Sequence, residues 1–351
     1  MRTTSWRAVL AASLLIPLAA CGGASSEENT AAVTPGSAAF PMTIENCGTD
    51  VTVEAAPERI LLVNSDEVAN LEALGAIDRV VAVTAELQEG LYQDATYQAL
   101  GDLDLLTTET NSTGGSVVSQ ESILAATPDL VIAPENAVDR AALASAGIPV
   151  YVPSAYCNTP GPELSQTATF DRVWSEVTTL GGILGLDEQA EKLVAEAQDQ
   201  LSSTPEDAGS AAALYVASGG ATLSPYGAPS MVTPVFEAAG LSNVYAETDE
   251  RVFDVNIEDL MARDPQTIVL LTSVSEAETR EAFLSSAGVD DLSAVKNDRV
   301  VVLAFPYTDP PSMLSTKGPQ QLSSLLAELG CGNRDRRPSG DGSAGWPRNR
   351  P

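Results

Sequence analysis

Ser119-Gln-Glu121-Ser-Ile123-Leu124-Ala125-Ala-Thr-Pro128-Asp-Leu-Val131-Ile132 returns further along the chain as Asn256-Ile-Glu258-Asp-Leu260-Met261-Ala262-Arg-Asp-Pro265-Gln-Thr-Ile268-Val269. Each stretch reads as a capping residue, a Glu in the first turn, two apolar residues, an Ala, a Pro that blocks continuation and then an apolar strand. The offset from Glu121 to Glu258 equals that from Pro128 to Pro265, so the two stretches align without a gap. Two shorter echoes keep the order. Glu72-Ala-Leu74-Gly75 answers to Glu237-Ala-Ala239-Gly240, and Ser145-Ala-Gly147-Ile148 to Ser286-Ala-Gly288-Val289. Three echoes in one order predict duplicated lobes.

Between the copies lies FDRVWSEVTTLGGILGLDEQAEKLVAEAQDQLS, Phe170–Ser202. Phe170, Val173, Trp174, Val177, Leu180 and Leu184 recur at helical spacing until the Gly181, Gly182, Gly185 cluster. A second helix follows, with Asp187 expected as its N-cap and Ala190, Leu193, Val194, Ala197 and Leu201 as its stripe. Glu188 is placed to pair with Lys192 across one turn. From Asp187 to Ser202 that helix is about 24 Å long at ~1.5 Å per residue, enough to run along two small lobes.

Outward from this divider, short apolar strands alternate with helices. Strands are expected at Arg59–Val63, Arg79–Val83, Leu130–Ala133, Pro149–Val152, Ala211–Val216, Thr267–Leu271 and Arg299–Leu303. Helices are expected at Glu67–Leu74, Ser119–Ala126, Arg140–Ala146, Met231–Ala239, Ile257–Ala262 and Glu276–Ser285. Continuous apolar strands of this kind form parallel sheets covered on both faces, the α/β class. Ligands of such sheets sit beyond the carboxyl ends of the strands, which in a two-lobed molecule face a common cleft.

The ends of the chain read differently. Arg2 and Arg7 precede an apolar run from Ala8 to Leu18, a secretory signal pattern over 1–20. Leu18-Ala-Ala-Cys21 resembles the bacterial lipobox, and the resemblance implies lipidation at Cys21 and a lipid-anchored protein on the extracytoplasmic face of the cell membrane, the alternative being an ordinary cleavage site with a chance Cys. Residues 21–39 are small, polar and acidic and read as a flexible leash; 333–351, rich in Arg, Gly and Pro, reads as a disordered tail. The expected body is an N-terminal lobe at 40–164, connecting helices at 165–204 and a C-terminal lobe at 205–332.

Composition removes whole classes of function. The chain has 18 basic and 48 acidic residues, a net charge of −30, and its Arg-rich ends make the body between them more acidic still. That field excludes nucleic acid as a partner. There is no His, which eliminates His-ligated zinc, Ser-His-Asp triads and His general bases together. No Gly-x-Ser-x-Gly elbow, P-loop or Gly-rich dinucleotide turn is present, so the rival class, an anchored enzyme, has only scattered carboxylates to rest on. Cys47, Cys157 and Cys331 permit one disulfide outside the cytoplasm, and spacing does not choose the pair.

The folded body resembles a known family. Cys47-Gly48, Val51-Thr-Val53, Ala56-Pro-Glu-Arg59-Ile60, Glu72-Ala-Leu74-Gly75 and Glu121 through Pro128-Asp-Leu-Val-Ile132 are similar to the lipoprotein substrate-binding subunits of ABC importers for ferric siderophores and vitamin B12. Gly227-Ala-Pro229-Ser-Met231, Glu258 through Pro265 and Ala294-Val-Lys-Asn-Asp-Arg299-Val300 extend the likeness to about Leu326. The resemblance implies two Rossmann-like lobes joined by a single long rigid helix, with the ligand cleft between them. It implies no enzymatic activity, no resident cofactor or metal, a monomer, and an Fe(III)-siderophore as cargo, with cobalamin and then haem as alternatives. It implies a Cys47–Cys157 disulfide with Cys331 left over, and it gives Glu121 and Glu258 a role in docking an ABC permease dimer. Read from the residues alone, those two glutamates need no more than a favourable helix dipole.

Candidate ligand contacts are polar or aromatic residues just beyond strand ends: Asn64, Asp66, Glu86, Asn136, Tyr226, Arg251 and Tyr307, with Ser65, Glu135, Tyr156, Ser218 and Thr272 behind them. Arg251 in so acidic a mouth suits a carboxylate, catecholate or hydroxamate ligand. A salt bridge to Asp249 or Glu250 would occupy it equally well.

Overall fold

In the computed structural model the described residues run from 39 to 332, except 108, 110–115, 160, 203–204, 217–222 and 274. Cys21, the signal and leash segments, Ser218, the tail and the Cys331 side chain lie outside the described residues.

The chain opens with an antiparallel hairpin, β1 (Met42–Asn46) and β2 (Thr49–Val53), absent from the expected strands. Cys47 and Gly48 turn it with φ of 53° and 71°, the left-handed pair that a two-residue hairpin requires. The N-terminal lobe then builds β3 (Ile60–Leu62), α1 (Val68–Leu74), β4 (Val80–Val83), α2 (Asp94–Gly101), α3 (Gln120–Ala126), β5 (Leu130–Ile132), α4 (Arg140–Ser145) and β6 (Val150–Tyr151). Its four strands are parallel in the order β4-β3-β5-β6. Alternation splits their side chains between two cores. Ile60, Leu62 and Ile132 face α1 and the connecting helices; Leu61, Val63 and Val131 face α3 and α4 through Ile123 and Leu143. Both faces are covered, which is why these strands read as unbroken apolar runs.

The connector is the two helices read from the residues, not the single long one that the resemblance implied: α5 (Asp171–Leu184) and α6 (Asp187–Gln200), each of 14 residues. Gly185 breaks them at φ 68°, in the left-handed region. A Cβ on Gly181 would sit 2.5 Å from the Ala190 Cβ, so the missing side chain is what lets α6 pack back on α5. Two local expectations are corrected there. Asp187 begins the helix instead of capping it, the cap position being Leu186, and Lys192 lies 3.7 Å from Glu196 rather than pairing with Glu188.

The C-terminal lobe follows with β7 (Gly209–Val216), β8 (Leu223–Pro225), α7 (Val232–Ala238), β9 (Leu241–Asn243), α8 (Ile257–Arg263), β10 (Thr267–Thr272), α9 (Glu276–Leu284), α10 (Ser293–Lys296), β11 (Val300–Ala304) and α11 (Gly318–Gly332). Strands β9, β7, β10 and β11 pair in parallel and repeat the β4-β3-β5-β6 order. One strand departs from the all-parallel expectation: β8 adds antiparallel to the other half of β7's edge. The repeat holds in atomic detail. Ser119 and Asn256 each accept a hydrogen bond from the amide three positions on, at 3.1 and 2.9 Å. Thr127 and Asp264, equivalent in the repeat, both end their helices at positive φ, 47° and 43°.

Candidate functional site

The loops beyond β3, β6 and β11 converge with the segment before α8. Just past β3, Asn64 takes φ 71°, its N–H donating to Thr84 Oγ1 at 3.0 Å and its Oδ1 accepting from the Ser116 N–H at 3.2 Å. This pinned turn projects the half-buried Asp66, which Tyr156, past β6, and Asn64 hydrogen-bond. Burial pushes the Asp66 carboxyl up to about 6, while those two hydrogen bonds and Arg251 pull it back. Tyr92 adds a phenol beside Ser65 and Asp66, its ring edge-on to Tyr97 at 5.8 Å.

From the other lobe, Arg251 Nη1 lies 3.1 Å from Asp309 Oδ2, an ion pair in which Asp309 is 2% exposed and Arg251 37%. Asp309 holds the guanidinium charged; burial pushes the Asp309 carboxyl up, and Arg251 and Arg172 oppose that. Tyr226 is buried beside the same pair and packs on Phe305 at 6.3 Å between ring centroids. Ala155, Leu164, Arg172, Pro229, Arg251 and Asp309 line a cavity of about 220 Å³. A larger one, about 520 Å³, continues along α5 past the Cys47–Cys157 disulfide and shares Cys157, Leu164 and Arg172 with it. Behind Asp66, Glu67 and Glu176 are buried, and burial pushes both carboxyls up; Asn70 donates to Glu67 and Tyr151 to Glu176. The Asn70 Oδ1 accepts the Met313 N–H at 2.9 Å, tying this acidic layer to the C-terminal lobe.

The structure therefore gathers Asp66, Tyr226 and Arg251, with Asn64 as the scaffold of Asp66. Tyr307 is half-buried against Ala69, Leu91 and Leu314 at the lobe junction. Glu86 and Asn136 are exposed on the loops after β4 and β5 and make no hydrogen bond or ion pair among the described residues. Glu135 is structural, 3.7 Å from Arg140 and accepting the Asn158 N–H; Thr272 is buried against Thr279. The expected partner of Arg251 is corrected: the residue opposite is neither Asp249 nor Glu250 but Asp309, brought there across the sheet after β11. Asp309, Tyr92 and Arg172 were missed. Asp309 had the same signal as the residues chosen, a polar side chain just past a strand, before Pro310-Pro311. Glu121 and Glu258 lie outside this cluster, exposed in the first turns of α3 and α8.

A family described as periplasmic binding protein matches residues 60–307. A crystal structure described as an ABC-type Fe3+-hydroxamate transport system, from Saccharomonospora viridis, is 36% identical, covers 82% of this chain and 99% of that one, and superposes with a TM-score of 0.73. An uncharacterised ABC transporter substrate-binding lipoprotein of Bacillus subtilis, YvrC, is 23% identical over 93% of this chain and 96% of its own. A cobalamin-binding protein of Halobacterium salinarum is 24% identical over 78% of this chain and 70% of its own. With the family matched across both sheets and the cleft loops between them, the chain belongs to the periplasmic binding protein family.

Proposed function

We propose that the protein is a lipid-anchored, extracytoplasmic binding subunit of an ABC importer whose cargo is a neutral or cationic ferric hydroxamate. The observation that carries this reading is the charge count at the cleft. Asp66, Asp309 and the cavity-lining Asp249 outnumber Arg251 and Arg172, and Asp309 already neutralises Arg251. Three hydroxamates on Fe(III) give a neutral complex and three catecholates a trianion, which this cleft and the −30 chain would repel. The half-buried Tyr92 and Tyr156 supply flat surfaces and phenols for the organic shell. The Saccharomonospora relative, named for Fe3+-hydroxamate, supports the same class.

Cobalamin has the Halobacterium relative in its favour, and the charge count admits a neutral corrinoid. Delivery would use the exposed Glu121 and Glu258, one per lobe, on arginine pockets of the permease dimer. Anchoring would use Cys21, in line with the lipoprotein YvrC; among the described residues no helix is long and apolar enough to cross a membrane.

Tryptophan quenching by a panel of a cationic and a neutral ferric tris-hydroxamate, a ferric tris-catecholate, cyanocobalamin and haemin tests the reading. Tightest binding by a hydroxamate supports it. Preference for the catecholate, cyanocobalamin or haemin overturns it.

A further inference from the structure

The duplication is also written on the surface. One turn beyond Glu121 stands Leu124, 38% exposed, and one turn beyond Glu258 stands Met261, 40% exposed. They are equivalent positions of the repeat. Among the described residues only six large hydrophobic side chains are this exposed, so a matched pair within so few needs a cause other than scatter. The following residue is Ala in both helices, and Ala125 and Ala262 are both exposed. Positions i, i+3 and i+4 share one helix face. The opposite face is taken in each case by a buried anchor, Ile123 or Leu260. Each lobe thus presents one patch of the same composition: a carboxylate, a large flexible apolar side chain and a small residue that leaves room for close approach. Matching caps and left-handed C-termini hold both patches at the same place relative to β5 and β10.

We infer that Leu124 and Met261, beside Ala125 and Ala262, are the apolar halves of two matched contacts with a two-fold-symmetric permease, Glu121 and Glu258 being the charged halves. The inference rests on the docking reading above. A patch repeated on two lobes of one chain is complementary to a partner whose own surface is repeated, which two identical subunits provide. The carboxylates call for a basic partner, and a second copy of a chain at −30 is repelled. An apolar contact beside each ion pair excludes water from it and strengthens it.

The test introduces p-benzoylphenylalanine in turn at positions 121, 124, 258 and 261 of the full chain in cells of the source organism, with position 284, an exposed Leu elsewhere, as control. Crosslinks from 124 and 261 to one polytopic permease subunit, and none from 284, are expected. Crosslinks from 121 and 258 alone leave the docking reading standing and overturn the apolar halves. Crosslinks from none of the four overturn both, and crosslinks to a second copy of this chain, or equally from 284, overturn the inference. As a second measurement, Leu124→Ser with Met261→Ser should cut cellular uptake of a ferric tris-hydroxamate at least tenfold, with its binding to the purified protein and the melting temperature unchanged. Undiminished uptake overturns it.

Discussion

Replacing Arg251 by Ala should destabilise the empty protein, because the guanidinium faces a carboxylate that has almost no water of its own. Asp309 is 2% exposed and 3.1 Å from Arg251. Removing one partner of a fully buried pair costs about 3–5 kcal/mol, most of it the stranded charge. Here Arg251 is 37% exposed, and Arg172 and the Met231 backbone N–H still act on Asp309, so about 2–3 kcal/mol is the expected loss. At about 2–4 °C per kcal/mol that is a fall of roughly 5–10 °C in melting temperature. Urea denaturation at pH 7.5 of the wild type, Arg251→Ala, Asp309→Asn and the double variant measures it. The double variant should recover at least half of the loss, since no charge is stranded. Without Arg251 the Asp309 carboxyl rises further, and a raised folded-state pKa means stability lost as pH climbs through it. The Arg251→Ala deficit should therefore shrink on going from pH 7.5 to 5. A variant as stable as wild type at pH 7.5, or a deficit untouched by Asp309→Asn, refutes the argument.

Burial raises Asp66 from 3.8 to about 6, so its stabilising contribution is complete below pH 4 and lost as pH rises through 6. Asp66→Asn should stabilise by about 1–2 kcal/mol at pH 7.5, at ~1.4 kcal/mol per unit discounted for partial exposure, and by little at pH 4; equal effects at both, in paired thermal melts, would count against it. Reducing the Cys47–Cys157 bridge, which spans 110 residues, should cost about 4–5 kcal/mol and on the order of 10 °C; an unchanged melting curve in reductant would show that the loop closure carries no stability. Glu121→Arg with Glu258→Arg should abolish uptake while purified protein still binds cargo, and normal uptake by a folded double variant would leave only the helix-dipole role. Cys21→Ala should shift the protein from the membrane fraction to the soluble one, and retention would remove the lipid anchor from the proposal.

How much of this was legible beforehand follows from the range of the forces involved. Strand, helix and cap are set by neighbours close in the chain. Ser119 and Asn256 therefore announced their helices, Pro128 and Pro265 the strands behind them, and the gap-free echo between them the second lobe. Elements whose signal is weak within a short window were missed: the β1–β2 hairpin, the antiparallel β8 and the fold-back of α6 on α5 at Gly181. The cleft was legible only as a set of loops past strand ends. Which members meet depends on two sheets and the helices between them packing together. That packing brings Arg251 to Asp309 and Tyr156 to Asp66, partners far apart in the chain with no local pattern linking them. Burial completes the difference. Nothing in their immediate sequence marks Asp66, Glu67, Glu176 and Asp309 as carboxylates taken out of water. Desolvation comes from atoms distant in sequence, and tertiary packing alone turned common acidic residues into a layer of carboxyls behind the cleft whose ionisation burial opposes.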